Sequence, residues 1–225
     1  MASCMYAFML SVSNLIVPFS FSLNTAANYQ PFQERALWEG IADVYDEGLC
    51  GAVGVSNYGP KQLSKIATYL KERNVPLATA QVQYSLMTYK DSLAVKDACD
   101  EADCRLISYS PLCLGLLTGK YNLDNLPRQG NPRRQLFREL LPGAQPLLKT
   151  LEAVALDAGK TQSQVAINWA ICKGGVPIPG VRTVEMAEEN LGAIGWRLSN
   201  GAVDELDAAA LKVSKPMIQN VFQTS

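Results

Sequence analysis

Four short apolar runs, at residues 52–56, 80–84, 105–110 and 176–180, each end in a cluster of small or polar residues. Runs of this length bounded by such clusters read as buried strands. Between them the apolar spacing changes. Leu63, Ile66, Ala67 and Leu70 recur at i, i+3, i+4 and i+7 behind Pro60, which suits a first helical turn. Thr161 opens a second helix, with Gln164 placed to complete a capping box and Val165, Trp169 and Cys172 on one face. Val184, Ala187, Leu191 and Ile194 repeat the pattern, as do Val203, Leu206, Ala210 and Val213. Strands alternating with helices predict an α/β fold with a parallel sheet, its helices laying their apolar faces on that sheet.

Composition narrows the function classes. A chain of 225 residues, 48% hydrophobic and 18% charged, can bury one large core and reads as one soluble globular domain. A net charge of −1 and a pI of about 5.6 provide no broad positive field, which argues against nucleic acid. The six cysteines form no CxxC pair and read as reduced thiols. Histidine is absent, which removes Ser-His-Asp and Cys-His catalysis and every imidazole zinc site.

No charge precedes Glu34. As a secretory signal this start lacks a basic n-region, and Ser11, Ser13, Asn14 and Pro18 interrupt its apolar run. As a membrane span it is short and polar against the roughly 20 apolar residues required. A transit peptide would normally carry arginine. Truncation or alternative splicing is the remaining account, and the favoured one. The longest irregular stretch is expected from Tyr121 to Pro142, a length typical of lids, with Arg133, Arg134 and Arg138 suited to closing over phosphate or lying free in solvent.

In an α/β sheet or barrel, function gathers where strands end. Here those ends are Val55-Ser56-Asn57-Tyr58, Gln81-Val82-Gln83-Tyr84, Ser108-Tyr109-Ser110-Pro111-Leu112 and Pro177-Ile178-Pro179-Gly180-Val181-Arg182. Their amides and hydroxyls match the donor and acceptor of a nicotinamide carboxamide, and Tyr109 offers a flat face for its ring. Taken singly, Ser-Asn reads as a turn and Tyr109 as core.

Gly51-Ala52-Val53-Gly54-Val55-Ser56-Asn57-Tyr58 resembles a motif of the aldo-keto reductases, and the resemblance runs on through Ala80-Gln81-Val82-Gln83-Tyr84 and Ser108-Tyr109-Ser110-Pro111-Leu112. It continues through Gly119-Lys120-Tyr121 and Val165-Ala166-Ile167-Asn168-Trp169 to the segment from Pro177 to Arg182, with Glu188-Glu189-Asn190-Leu191 downstream. The resemblance implies a (β/α)8 TIM-barrel fold, of which residues 25–225 supply the C-terminal half, about strands 5 to 8 with their helices. Residues 1–24 then replace missing barrel strands.

By that resemblance Ser56, Asn57, Gln81 and Tyr109 hold nicotinamide, while Ser110, Pro111, Leu112 and Lys120 line the pyrophosphate path. Gly180 admits close backbone approach, Arg182 meets the 2′-phosphate, and Glu189 and Asn190 reach the adenosine, so that NADPH is the implied cofactor. Met186 departs from the glutamine many relatives carry. The family's acid is a tyrosine supported by lysine, aspartate and histidine, all upstream of the Ser-Asn motif; the histidine position falls near Ser22, and no catalytic residue is assigned.

Three functions remain open: an NADPH-dependent reductase of small aldehydes or ketones, incomplete in this chain; an NADPH-binding regulatory module without turnover; and an unrelated phosphate-binding barrel. The partner is a small carbonyl compound, with no nucleic acid and no membrane. Self-association through an open barrel edge and a cytoplasmic or plastid location complete the expectations.

Overall fold

The structure, a computed structural model, describes residues 34–215 and Met217, together with the backbone of Tyr6–Phe8 and Ser20–Asn24. Most of segment 1–24, its boundary at residue 25 and the tail beyond Met217 lie outside the described residues. The chain divides into two compact units. One takes residues up to Val82 and Leu93–Ile107; the other takes Gln83–Ser92 and Ser108–Gln219.

In the first unit β1 (Tyr6–Phe8) runs antiparallel to β2 (Ser20–Asn24), and β2 lies parallel to β3 (Ala52–Ser56), in a register pairing Ser20 with Ala52 and Asn24 with Ser56. The parallel β2 and the following helix α1 (Glu34–Asp46) make a βα unit ahead of the four read from the sequence. β2 contains Ser22, near which the resemblance places the family's histidine position. The alternating Ser20-Phe21-Ser22-Leu23 carries the period of a strand, which the uncharged sequence around it conceals.

Next come α2 (Pro60–Glu72), β4 (Leu77–Gln83), α3 (Tyr89–Glu101) and β5 (Arg105–Tyr109). Leu63, Ile66 and Leu70 of α2 have no exposed surface, as their spacing predicts, and Tyr69 is buried too. In α1 Trp38 is buried and donates its indole N–H to the Tyr58 hydroxyl at 3.2 Å.

β3 and β4 are parallel, with a register shift between Val53 and Gly54. A Cβ added at Gly54 would lie 2.3 Å from Thr79 Oγ1 and 3.0 Å from the Thr79 carbonyl oxygen. The side chain can turn away, but the carbonyl belongs to the strand. Gly54→Ala is therefore expected to cost about 1–3 kcal/mol through overpacking, read as a lower urea midpoint.

The second unit carries a 3-10 turn (Cys113–Thr118), α4 (Arg133–Asp157), α5 (Gln162–Cys172), β6 (Val176–Ile178), α6 (Val184–Leu191) and α7 (Asn200–Leu211). The irregular stretch expected to reach Pro142 ends ten residues sooner, because α4 starts at Arg133 and runs through Pro142 and Pro146. Interior proline costs a helix roughly 3 kcal/mol. Here the burial of Phe137, Leu140, Leu141, Leu147 and Leu151, none with exposed surface, outweighs it at about 1.5–3 kcal/mol each.

The capping box opening α5 is present, with Thr161 Oγ1 accepting from the Gln164 N–H and Gln164 Oε1 from the Thr161 N–H. One expectation fails at α6, whose apolar face covers nothing: Val184, Leu191 and the following Ile194 are 69%, 61% and 60% exposed. Polar contacts with α5 hold this helix instead. Gln164 donates to the Glu189 carbonyl at 3.1 Å, and Asn168 to that of Ala193 at 2.9 Å.

Inside the second unit Tyr84 stacks on Trp169 at 5.3 Å between ring centres, and Tyr89 meets Trp169 edge-on at 5.2 Å. Asp207 of α7 accepts from Tyr89 Oη at 2.9 Å, Trp169 Nε1 at 2.7 Å and Lys173 Nζ at 2.7 Å. Burial lifts the Tyr89 hydroxyl above its ordinary value. Burial pulls the Lys173 ammonium down, but its bonds to Asp207 and Tyr89 outweigh that and leave it raised.

Candidate functional site

The residues singled out at strand ends fall into two sets, one in each unit. In the first unit β3 and β4 end side by side, with Ser56 paired in register to Gln81 and the Asn57 N–H donating to the Gln81 carbonyl at 2.9 Å. Ser56 and Asn57 are buried, and Asn57 holds a left-handed φ of 61°. A non-glycine residue in that region costs of order 1 kcal/mol, and such strain gathers at functional sites.

The second unit repeats this feature after β5, where Ser110 has φ 52°. Its strand end is fixed from Tyr84: the Tyr84 N–H donates to the Tyr109 carbonyl, and Ser108 Oγ donates to the Tyr84 carbonyl at 2.6 Å. Tyr109, Ser110, Pro111 and Leu112 then line a cleft of about 600 Å³ together with Lys120, Gly180 and Arg182. Seven of the residues expected in the site are thus brought together. A Cβ built on Gly180 meets nothing within 4 Å, so the backbone there stays open to a ligand.

The cleft is electropositive. Lys120, Arg133 and Arg182 line it and no carboxylate does. Arg133 was not singled out for the site by its sequence context, where it is one of three arginines in an expected loop. On the first turn of α4 its guanidinium donates to the Leu114 carbonyl at 3.0 Å, and that bond sets it at the rim. Arg134 instead donates to the Pro127 carbonyl at 2.6 Å, and Arg138 is exposed. Of the three, only Arg133 faces this space.

Glu189 and Asn190 are not among the lining residues. Glu189 accepts from the Thr161 hydroxyl at 2.6 Å. Asn190 Nδ2 is buried without a hydrogen-bond partner among the described residues, and an unpaired buried amide N–H costs about 1–3 kcal/mol unless a ligand satisfies it. No group of three or more Cys, Asp or Glu able to hold a metal occurs among the described residues. No described helix is long and apolar enough to cross a membrane.

Polar strand ends and a cationic cleft lined by an open glycine are features with which α/β proteins bind small ligands. Comparison with known proteins narrows this class. The model of the Aldo/keto reductase family matches residues 22–211, and the chain belongs to that family. It is 56% identical over 201 residues to a chloroplastic pyridoxal reductase of Arabidopsis thaliana, covering 89% of this chain and 54% of the relative. It is 30% identical over 174 residues to the L-glyceraldehyde 3-phosphate reductase of Escherichia coli, covering 73% and 49%. The chain thus spans about half the length of these relatives.

The structure of a glycerol dehydrogenase from Gluconobacter oxydans aligns with a TM-score of 0.71 at 22% identity, over 88% of this chain and 59% of that one. The fold is accordingly of the (β/α)8 aldo-keto reductase type over the part this chain supplies.

Proposed function

We propose that the chain holds NADPH for the reduction of a small aldehyde or ketone to its alcohol. The cationic cleft of the second unit carries this reading. Lys120 and Arg133 offer charge to the pyrophosphate, alongside Ser110, Pro111 and Leu112, and Arg182 meets the 2′-phosphate. Gly180 leaves room for the cofactor backbone, while Glu189 and Asn190 serve the adenosine, the free Nδ2 of Asn190 supplying a donor. Ser56, Asn57 and Gln81 serve the nicotinamide carboxamide, and Tyr109 serves the ring face.

When bound, NADPH supplies the hydride. The task of the named side chains is orientation and charge neutralisation, set in advance by the strained strand-end backbones at Asn57 and Ser110. Proton delivery to the carbonyl oxygen is not assigned to any residue, and the chain contains no histidine. Small aldehydes are the proposed substrate class, as the names of the pyridoxal and glyceraldehyde phosphate reductases suggest. A plastid location is proposed on the name of the plant relative.

The absence of histidine favours a second reading, an NADPH-binding module without turnover. A panel of small aldehydes including pyridoxal, followed through NADPH absorbance, separates the two. Consumption matched by alcohol supports the reductase; bound NADPH that no aldehyde oxidises supports the module. If NADPH does not bind and a sugar phosphate does, both fail.

A further inference from the structure

Outside the cleft, the end of α3 holds two thiols in one turn. Asp103 has a left-handed φ of 49°, the Cys104 N–H donates to the Cys99 carbonyl at 2.9 Å, and the Asp103 N–H donates to the Asp100 carbonyl at 3.1 Å. These two bonds, around a left-handed residue just past the helix, define a Schellman motif. That motif brings the side chain three places inside the helix end against the one two places beyond it. Apolar residues usually fill both places; here they are Cys99 and Cys104.

Both thiols are shielded, with Cys99 fully buried and Cys104 only 6% exposed. Beside the turn, however, opens a cleft of about 780 Å³ lined in part by Ala98, which precedes Cys99, and by Glu101, Ala102 and Asp103, which lie between the two cysteines. We propose that Cys99 and Cys104 form a redox site, a dithiol that closes to an intramolecular disulfide across this turn when it meets a small disulfide oxidant of the glutathione-disulfide class.

The order of events follows from the pairing. A hydrogen bond shared between the two thiols holds the Cys104 thiol below its ordinary value and pushes that of Cys99 up. Cys104 gives up its proton and attacks one sulfur of the oxidant, whose S–S bond breaks to release one thiolate and leave a mixed disulfide. Cys99 then loses its proton and attacks the Cys104 sulfur, expelling the second thiolate. Two S–H bonds have gone and one protein S–S bond has formed, while the oxidant has taken up two electrons and becomes two thiols on protonation.

The test uses the native chain. After incubation with glutathione disulfide, free thiols are blocked with iodoacetamide and the tryptic peptide 97–105, bounded by Lys96 and Arg105, is weighed; it contains these two cysteines and no other. The expected product is unblocked, lighter than the dithiol by two hydrogens and restored by dithiothreitol. Cys104→Ser should leave Cys99 unmodified by glutathione, whereas Cys99→Ser should trap glutathione on Cys104. A wild-type peptide with both cysteines blocked, or with glutathione held on Cys104 and no closure, overturns the proposal. The wild-type result stands whether or not either variant folds.

Discussion

Replacing Asp207 with alanine is expected to lower unfolding stability by about 3 kcal/mol, read as a fall in the urea midpoint followed by tryptophan fluorescence. The carboxylate accepts from three donors drawn from two other helices: Tyr89 of α3, and Trp169 and Lys173 at the end of α5. Trp169 has no exposed surface, and its indole N–H would lose its acceptor, while the Lys173 ammonium, with 24% of its side chain exposed, would lose its counter-ion. Breaking a shielded pair by removing one partner costs far more than the pair contributes intact, because a charge is left unpaired. Asp207→Asn keeps an acceptor for Trp169 and removes only the charge, so its loss should be smaller. Asp43→Ala, which removes one exposed partner of half-buried Arg73, should leave stability nearly unchanged, since Arg73 keeps Asp46 and solvent screens the pair.

The second large effect concerns ligand preference. Arg182→Ala is expected to weaken NADPH binding roughly ten- to hundredfold, as loss of about 1.5–3 kcal/mol from charge-assisted hydrogen bonds to the 2′-phosphate. NADH lacks that phosphate, so its affinity should hold. Arg182 is exposed and has no intramolecular hydrogen bond or ion pair among those found in the described residues, so the substitution should leave the fold intact. Equal losses for both cofactors would assign Arg182 to a general role in the cleft wall.

How much was readable in advance depended on whether a local signal agreed with its tertiary setting. β3 (Ala52–Ser56) and the capping box at Thr161 appear where the residues place them, because a short β-branched run and a Thr-x-x-Gln pair each admit one local solution. α4 was concealed, since Pro142 and Pro146 are breakers until five fully buried large side chains outweigh them. α6 misled in the opposite direction: its periodic apolar residues point to burial, yet polar bonds to backbone carbonyls hold it and leave that face in solvent.

The candidate site followed the same rule. Strand-end residues such as Ser110 and Gly180 were expected together because strand ends are where such folds bind ligands, and they line one cleft. Arg133 was legible only as one of three arginines suited to phosphate; which of them reaches the cleft depends on a helix start that the prolines concealed and on one hydrogen bond to the Leu114 carbonyl.

The most direct test of the account is a fluorescence titration of the unmodified chain with NADPH and, separately, with NADH. The account predicts saturable binding of NADPH at least about tenfold tighter than that of NADH, the difference arising from Arg182 in the cationic cleft. Equal affinity for the two, or binding of neither, would contradict it.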